Sequence, residues 1–270
     1  MLTHPTAGAE IAPAAALMGD PARAAMLTAL LDERALAAGE LAHLAGVSPP
    51  TASNHLARLL DGGLVTVVRA GRHRYYRLAG QEVAAAIEAL SQLTAPAPVR
   101  SLRQSRRAAA LAHARTCYDH LAGRAGVALL DAMLASDMLT AGSAPVAGPV
   151  VAGPVVAGPV AQVPPGPACL RVTAAGESAL CAFGVNAVAL PGSRRRLAFP
   201  CLDWTERRPH LNGALGAAIT ARLIDLGWIE RGALRRAVTV TPAGYEGLTV
   251  TFGCVLGPAP GPTGMPPPGA

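Results

Sequence analysis

The sequence contains no lysine, and it contains few aromatic residues and few cysteines. These low counts restrict the classes of protein to which it can belong. All 23 of its basic residues are arginine, which we attribute to a GC-rich genome rather than to a function. Aromatic residues make up only 3% of the chain, so its cores must be built from alanine, leucine and valine. The net charge of +6 fits a nucleic-acid partner. The length of 270 residues predicts two or three compact units.

No charged residue lies between 138 and 170, a length that would suit a membrane span. Proline recurs there at 145, 149, 154 and 159, which excludes a membrane helix because each proline removes a backbone hydrogen bond. The stretch repeats Ala-Gly-Pro-Val-Val and predicts a disordered insertion over 141–167. The Pro/Gly-rich tail at 257–270 is also predicted to be disordered. We find no signal peptide and no membrane segment, and therefore expect a cytoplasmic protein.

Cysteine is also scarce, with five residues in the chain. An odd count in a cytoplasmic protein argues against structural disulfides. Cys117, Asp119 and His120 could form a thiol hydrolase, since a helix places residues i and i+3 on one face. However, the sequence has no glycine-rich phosphate loop, nucleophile elbow or oxyanion loop, so we predict no enzymatic activity and no catalytic residue.

Residues 38–78 have the pattern of a helix-turn-helix followed by an arginine-rich β-hairpin. A short first helix ends at Gly46, because glycine adopts the left-handed conformation that terminates helices. Ser48 is a good N-cap and Pro49 suits the first position of a second helix, which runs to about Asp61. This order of elements suits entry into a DNA major groove. The alternative is an ordinary helical core with a solvated basic hairpin.

The second helix has one apolar face, formed by Ala52, Leu56 and Leu59, which should pack inward. The opposite face is left for DNA, where asparagine recognises adenine and arginine recognises guanine. His55 lies nearer the apolar face and either contacts phosphate or fills the boundary. The hairpin has no acidic residue among 62–81. The predicted DNA-binding residues of the helix and hairpin are Ser48, Pro50, Thr51, Ser53, Asn54, His55, Arg58, Arg69, Arg72, His73 and Arg74.

Five motifs between residues 10 and 93 point to a known family. They are Leu17-Met-Gly-Asp-Pro-Ala-Arg23, Gly39-Glu-Leu-Ala-His-Leu-Ala-Gly46, Ser53-Asn-His-Leu56, Gly62-Gly-Leu-Val65 and Gly71-Arg-His-Arg-Tyr-Tyr-Arg77. This part of the chain resembles the ArsR/SmtB winged-helix repressors, and within them the cadmium/lead-sensing branch. The resemblance implies a homodimer that binds a double-stranded DNA operator, an inverted repeat, and leaves it when an effector arrives.

The resemblance also implies particular helices. One would begin at Asp20-Pro21 and carry Met26, Leu27, Leu30 and Leu31. Another would supply part of a dimer interface through Val83, Ile87, Leu90 and Leu93.

The effector sites of the family do not carry over to this chain. Members that sense arsenic or cadmium on the first motif helix have a Cys-x-Cys there, whereas residues 41–45 contain no cysteine. The two cysteines of the cadmium/lead branch correspond to Arg58 and Gly62. The zinc-type site on the dimer helix needs Asp and His, and 81–93 supplies neither. The repressor fold is therefore implied without its metal specificity.

The C-terminal part of the chain contains an internal repeat. His120-Leu-Ala-Gly-Arg-Ala-Gly126 matches His210-Leu-Asn-Gly-Ala-Leu-Gly216, and Val-Thr-x-Ala-Gly follows at 172–176 and 240–244. Each copy reads as helix, hairpin and helix. The predicted fold class is mainly α with small β-hairpins: an N-terminal winged helix-turn-helix plus two tandem winged-helix-like repeats.

The predicted domain organisation follows from these features. Its segments are a DNA-binding and dimerisation domain at 1–95, a basic linker at 96–107, a first repeat at 108–190 with the insertion, a second repeat at 191–256, and the tail at 257–270. The basic linker either contacts phosphate or is the solvated start of a helix.

A cysteine precedes each repeated histidine, giving Cys117 with His120 and Cys201 with His210. Thiolate and imidazole are ligands of zinc and other thiophilic ions, so these four residues are a candidate metal site, with the cofactor otherwise unknown. The alternative is that the cysteines are small buried apolar residues and the histidines cap helices. We predict a DNA-binding repressor released by a thiophilic metal or an oxidant sensed in the C-terminal region. Response to an organic ligand and effector-independent architectural binding are the alternatives.

Overall fold

The computed structural model describes residues 10–32, 34–70, 73–93, 101–142, 169–190, 196–232 and 234–259. The chain divides into two compact units, 1–94 and 95–270. Within the described ranges, no helix combines the length and the apolar character needed to cross a bilayer.

The N-terminal unit packs its helices around a three-stranded antiparallel sheet of order β1-β3-β2. Its elements are α1 (Ala12–Met18), α2 (Pro21–Ala29), β1 (Leu36–Ala37), α3 (Ala38–Ala45), α4 (Pro49–Asp61), β2 (Val65–Ala70), β3 (His73–Leu78) and α5 (Gln81–Leu93). This arrangement confirms the predicted winged helix-turn-helix. The strand β1 was not predicted, because two residues are too few to show an alternating pattern.

Local signals in the sequence set the helix ends of this unit. Asp20 accepts a hydrogen bond from the Arg23 backbone N–H at 3.0 Å and so caps α2. Gly46 has a φ of 66° and ends α3, and Ser48 caps α4. The predicted inner face of α4 is confirmed, because its three residues are completely buried: Ala52, Leu56 and Leu59.

The C-terminal unit begins with α6 (Leu102–His113) and then runs twice through hairpin, helix, hairpin and helix. The first run is β4 (Arg115–Cys117), β5 (His120–Ala122), α7 (Gly123–Ala135), β6 (Leu139–Gly142), β7 (Cys169–Val172) and α8 (Ala174–Phe183). The second is β8 (Phe199–Leu202), β9 (Pro209–Asn212), α9 (Ala214–Asp225), β10 (Ile229–Arg231), β11 (Val238–Val240) and α10 (Pro242–Phe252). The predicted helix–hairpin–helix order thus occurs twice, each time after a hairpin that was not predicted.

The structure corrects the borders of two predicted segments. Residues 102–107, assigned to the basic linker, form the first half of α6, which Ser101 caps by accepting from the Gln104 backbone N–H at 3.2 Å. Residues 141 and 142, assigned to the insertion, are the last two of β6. The rest of the predicted insertion and the tail from residue 260 lie outside the described residues.

The repeated Val-Thr-x-Ala-Gly motif is a helix start in both copies. Thr173 Oγ1 accepts from the Gly176 backbone N–H, and Thr241 Oγ1 accepts from the Gly244 backbone N–H, both at 3.0 Å. The same threonine-to-glycine spacing therefore produces the same cap on α8 and α10.

The two repeats pack reciprocally and share one hydrophobic core. Helix α7 of the first repeat lies on β9 of the second, and α9 of the second lies on β5 of the first. A Cβ placed on Gly126 would lie 3.4 Å from Cβ of His210, and one on Gly216 would lie 3.3 Å from Cβ of His120. Each helix thus uses a glycine to approach the histidine strand of the other repeat.

Gly126→Ala and Gly216→Ala should each destabilise the C-terminal unit. The added Cβ would lie 2.3 Å from the Leu121 carbonyl oxygen in the first variant and 2.6 Å from that of Leu211 in the second, so the backbone must shift. We expect the free energy of unfolding to fall by about 1–3 kcal/mol per substitution. Urea denaturation followed by tryptophan fluorescence measures this, since both tryptophans lie in this unit.

Gly257→Ala is the matched control, because nothing lies within 4 Å of its added Cβ. Its effect should stay within about 0.5 kcal/mol. Unchanged stability of the two packed variants would contradict the close approach of the helices.

Candidate functional site

The exposed side of α4, together with its cap Ser48, carries six of the eleven residues predicted to contact DNA. Asn54 and Arg58 are one helical turn apart and exposed. Ser48 acts as the helix cap and its Oγ lies 2.8 Å from Thr51 Oγ1, while Ser53 Oγ donates to the Pro49 carbonyl at 3.0 Å. The shorter polar side chains therefore bond to the helix itself. The longer side chains of Asn54 and Arg58 remain exposed on this face.

His55 faces the interior of the unit instead. Its Nδ1 lies 3.5 Å from Arg23 Nη1 and 3.8 Å from Asp20 Oδ1, so the ring sits against the start of α2. Arg23 is itself buried and donates to the carbonyl oxygens of Leu17 and Ala16 at 2.7 and 2.9 Å. Of the two roles left open for His55, the structure favours packing at the edge of the apolar face over contacting phosphate.

The β2–β3 hairpin presents arginine at its distal end. Arg69 and Arg74 are directly opposite each other in the strand register, and both are exposed, as is His73. Like charges at opposed positions destabilise a hairpin, and an anion between them would relieve this repulsion. Arg77 is partly engaged, since its Nε donates to Thr66 Oγ1 at 3.3 Å. Arg72 lies outside the described residues.

The candidate metal ligands of the C-terminal unit converge. One ligand atom from each of Cys117, His120, Cys201 and His210 lies within 4.8 Å of all the others. Cys117 is directly opposite His120 across β4–β5, and Cys201 is directly opposite His210 across β8–β9. Opposed residues of a hairpin share a face. The helical arrangement considered for Cys117 and His120 is therefore wrong, and cross-strand pairing brings each cysteine to its histidine.

The two histidines meet at the contact between the repeats. His120 Nε2 and His210 Nε2 are 3.1 Å apart, and the rings stack with centroids separated by 5.0 Å. Neither ring caps a helix, because α7 and α9 begin after Ala122 and Gly213 without a side-chain cap. The alternative role predicted for the histidines is therefore wrong.

A carboxylate lies on the Nδ1 side of each imidazole. Asp119 Oδ1 lies 3.2 Å from His120 Nδ1, and Asp203 Oδ2 lies 3.6 Å from His210 Nδ1. Burial disfavours a charged His120, but Cys117 and Asp119 outweigh it and raise the pKa of His120 to about 9. Burial and the facing His120 hold the pKa of His210 well below its usual range. The surroundings therefore shift the pKa values of the two imidazoles in opposite directions.

Asp203 and Arg115 form an ion pair that the sequence did not reveal. Arg115 Nη2 donates to Asp203 Oδ2 at 2.8 Å, and both side chains are completely buried. The backbone N–H groups of Gly123 and Thr205 donate to the same carboxylate at 2.7 and 2.9 Å. Burial raises the pKa of Asp203, but Arg115, the Thr205 hydroxyl and the Glu206 backbone N–H outweigh burial and hold the pKa well below its usual range. An Asp-x-Thr sequence is a signal for such a turn around Asp203, whereas nothing in the sequence marks Arg115.

Comparisons with known proteins identify relatives of the chain. A helix-turn-helix domain family matches residues 18–68. The HTH-type transcriptional regulator YdfF of Bacillus subtilis (strain 168) is 38% identical over 234 residues, which cover 87% of this chain and 93% of that protein. The similarity to YdfF therefore extends through the C-terminal unit.

Two similar solved structures each cover about a third of the chain. NolR from Sinorhizobium fredii is 30% identical over 32% of this chain and 85% of its own, with a TM-score of 0.30. The homodimeric winged helix-turn-helix domain of Mb0332 from Mycobacterium bovis, a possible ArsR-family regulator, is 35% identical over 31% of this chain and 75% of its own, with a TM-score of 0.28.

Arg115→Met should destabilise the C-terminal unit strongly, because it leaves the Asp203 carboxylate buried without a countercharge. We expect a loss of about 3–5 kcal/mol in the free energy of unfolding. Urea denaturation followed by circular dichroism and tryptophan fluorescence measures it.

Arg208→Met is the control for loss of an arginine ion pair in the same unit. Arg208 Nη2 donates to Asp131 Oδ2 at 2.8 Å, but the two side chains are 60% and 42% exposed. Breaking this pair should cost less than about 1 kcal/mol. Equal losses from both variants would refute the importance assigned to the buried pair.

Proposed function

Because the chain belongs to the family of HTH-type transcriptional regulators, we propose that it is a sequence-specific repressor of the ArsR/SmtB type, released from its operator by an effector sensed in the C-terminal unit. The observation that carries the sensing role is the convergence of Cys117, His120, Cys201 and His210. A thiophilic metal or an oxidant is the effector class, since thiols react with both.

The distribution of cysteine supports a sensor in the C-terminal unit. All five cysteines follow residue 116, and the N-terminal unit therefore has no thiol. The effector must bind the DNA-free and DNA-bound states with different affinities, because a ligand without such a preference shifts no equilibrium.

The DNA complex that we propose places α4 in the major groove and the β2–β3 hairpin on the phosphate backbone. Each chain has one such recognition helix, so a symmetric operator requires a dimer. On α5, Leu90 and Leu93 are 47% and 80% exposed and are available for pairing. Half-sites should lie about one helical turn apart in an inverted repeat. Sedimentation tests the dimer, and a monomer both free and on DNA would exclude it.

Asn54→Ala and Arg58→Ala should relax the sequence preference, whereas Arg74→Ala should weaken binding to all sequences alike. Each lost base contact should reduce discrimination by roughly 1–3 kcal/mol. Loss of a phosphate contact should instead lower the slope of log affinity against log salt by about 1. Binding to the operator and to scrambled DNA over a salt series measures both effects.

Arg171→Ala is the control for loss of one positive charge, because Arg171 is exposed on β7 of the C-terminal unit. It should leave specificity unchanged. If the helix and hairpin variants lost specificity equally, the assignment of elements to groove and backbone would be incorrect.

A Cys117→Ser, Cys201→Ser double variant should stay on the operator under conditions that release the unmodified protein. The reason is that both thiols of the proposed sensor are removed. Footprinting on the protein's own promoter, repeated with a panel of thiophilic metals and oxidants, measures release.

A Cys169→Ser, Cys181→Ser double variant is the matched control, since these thiols lie outside the four-residue cluster. It should be released normally. Normal release of the Cys117/Cys201 variant would refute this sensor, and an organic effector would then be the better explanation.

A further inference from the structure

We propose that Cys117, His120, Cys201 and His210 form a closed tetrahedral site for one divalent zinc-like ion, with Asp119 and Asp203 orienting the two imidazoles. The inference rests on the proposed function in placing the effector at these four residues. It goes further in choosing a metal over an oxidant and in naming the ligand atoms.

The spacing of the two imidazole nitrogens fits one ion. Metal–nitrogen bonds of about 2.0–2.1 Å in a tetrahedron place two nitrogens roughly 3.3 Å apart. His120 Nε2 and His210 Nε2 are 3.1 Å apart, close to that edge length. The four ligand atoms lie within 4.8 Å of one another, and zinc–sulfur bonds of about 2.3 Å require a sulfur–sulfur separation of roughly 3.8 Å. The four ligand atoms are therefore close enough together for one ion to draw them into a tetrahedron.

The carboxylates behind the rings make Nε2 the ligand atom of both histidines. Asp119 Oδ1 lies 3.2 Å from Nδ1 of His120, and Asp203 Oδ2 lies 3.6 Å from Nδ1 of His210. Within the described residues, the buried His210 Nδ1 has no hydrogen-bond partner. A shift of a few tenths of an ångström would bring Asp203 Oδ2 within hydrogen-bond distance of His210 Nδ1. Carboxylates that accept from Nδ1–H hold the other nitrogen toward a metal.

The charge of the site selects a divalent ion. Two thiolates neutralise one divalent cation, so the filled site has no net charge among its ligands. Such neutrality matters here because Cys117, His120 and His210 are buried. Tetrahedral coordination by two sulfurs and two nitrogens is typical of zinc. Disulfide formation would use only the two sulfurs and would leave both histidine–carboxylate pairs unexplained.

The ion would also connect the repeats. Each repeat contributes one cross-strand cysteine–histidine pair, so a single ion links β4–β5 to β8–β9. Metal binding should therefore raise the thermal stability of the C-terminal unit, since a ligand that binds only the folded state stabilises it.

The test uses the full-length protein, reduced and freed of metal, titrated anaerobically with Co²⁺ alone. We expect one Co²⁺ per chain, the intense visible bands of tetrahedral cobalt, a thiolate-to-cobalt charge-transfer band in the near ultraviolet, and displacement by Zn²⁺. Weak bands of octahedral cobalt without charge transfer would overturn the proposal. So would absence of binding, or oxidation to a Cys117–Cys201 disulfide in protein that binds no Co²⁺.

Variants separate the ligands from the orienting carboxylates. Cys117→Ser and Cys201→Ser should each weaken the charge-transfer band, whereas Cys181→Ser should not. Asp119→Asn and Asp203→Asn should lower Co²⁺ affinity about 10–100-fold while the tetrahedral bands are kept. Because Asp203→Asn also disrupts the Arg115 ion pair, Asp119→Asn provides the independent measurement. Unchanged affinity in Asp119→Asn and in folded Asp203→Asn would overturn the orienting role.

The experiments distinguish a failure of the proposed metal site from a failure of the proposed repressor function. Tetrahedral Co²⁺ binding without release from the operator would support the coordination and refute the effector role, leaving a structural ion. Release by oxidants in protein that binds no Co²⁺ would overturn the metal site and keep the regulated repressor.

Discussion

The C-terminal unit depends on the buried carboxylate of Asp203. It neutralises Arg115 on β4, accepts from the backbone N–H of Gly123 at the start of α7, and closes its own turn through Thr205. A buried charge of this kind is tolerated only when its partners are all in place. Because Asp203 also faces His210, the alignment of the repeats and the geometry of the proposed site are set by the same side chain.

The winged helix was predictable because its determinants are local. A glycine with positive φ, a serine cap and a spacing of three or four residues between apolar side chains all act within one or two helical turns. The direction of His55 was not predictable in this way. Its ring lies against Arg23 and Asp20 at the start of another helix. The position of His55 near the edge of the apolar face is compatible both with packing at that edge and with contacting phosphate.

The four cluster residues were identified from the repeat, but their arrangement was not. Cys117 and His120 have a spacing that suits a helix, yet a two-residue turn with Tyr118 at a φ of 61° makes them opposed strand residues. Arg115 and Asp203 are 88 positions apart, and no local pattern reports such a pair. The repeat therefore identified four residues that converge, while long-range packing decided how they meet.

The reciprocal packing of the repeats has a consequence for how the protein is made. Gly216 allows α9 to pack closely against the strand that holds His120. The first hairpin therefore packs against a segment that is synthesised about 90 residues later. The residues that we propose to contact DNA all precede that point by more than 100 positions. A chain that stops before β8, through early termination or proteolysis, keeps α4 but has only Cys117 and His120 of the cysteine–histidine cluster. Such a fragment would keep the residues that we propose to contact DNA but would lack half of the site that we propose to sense the effector.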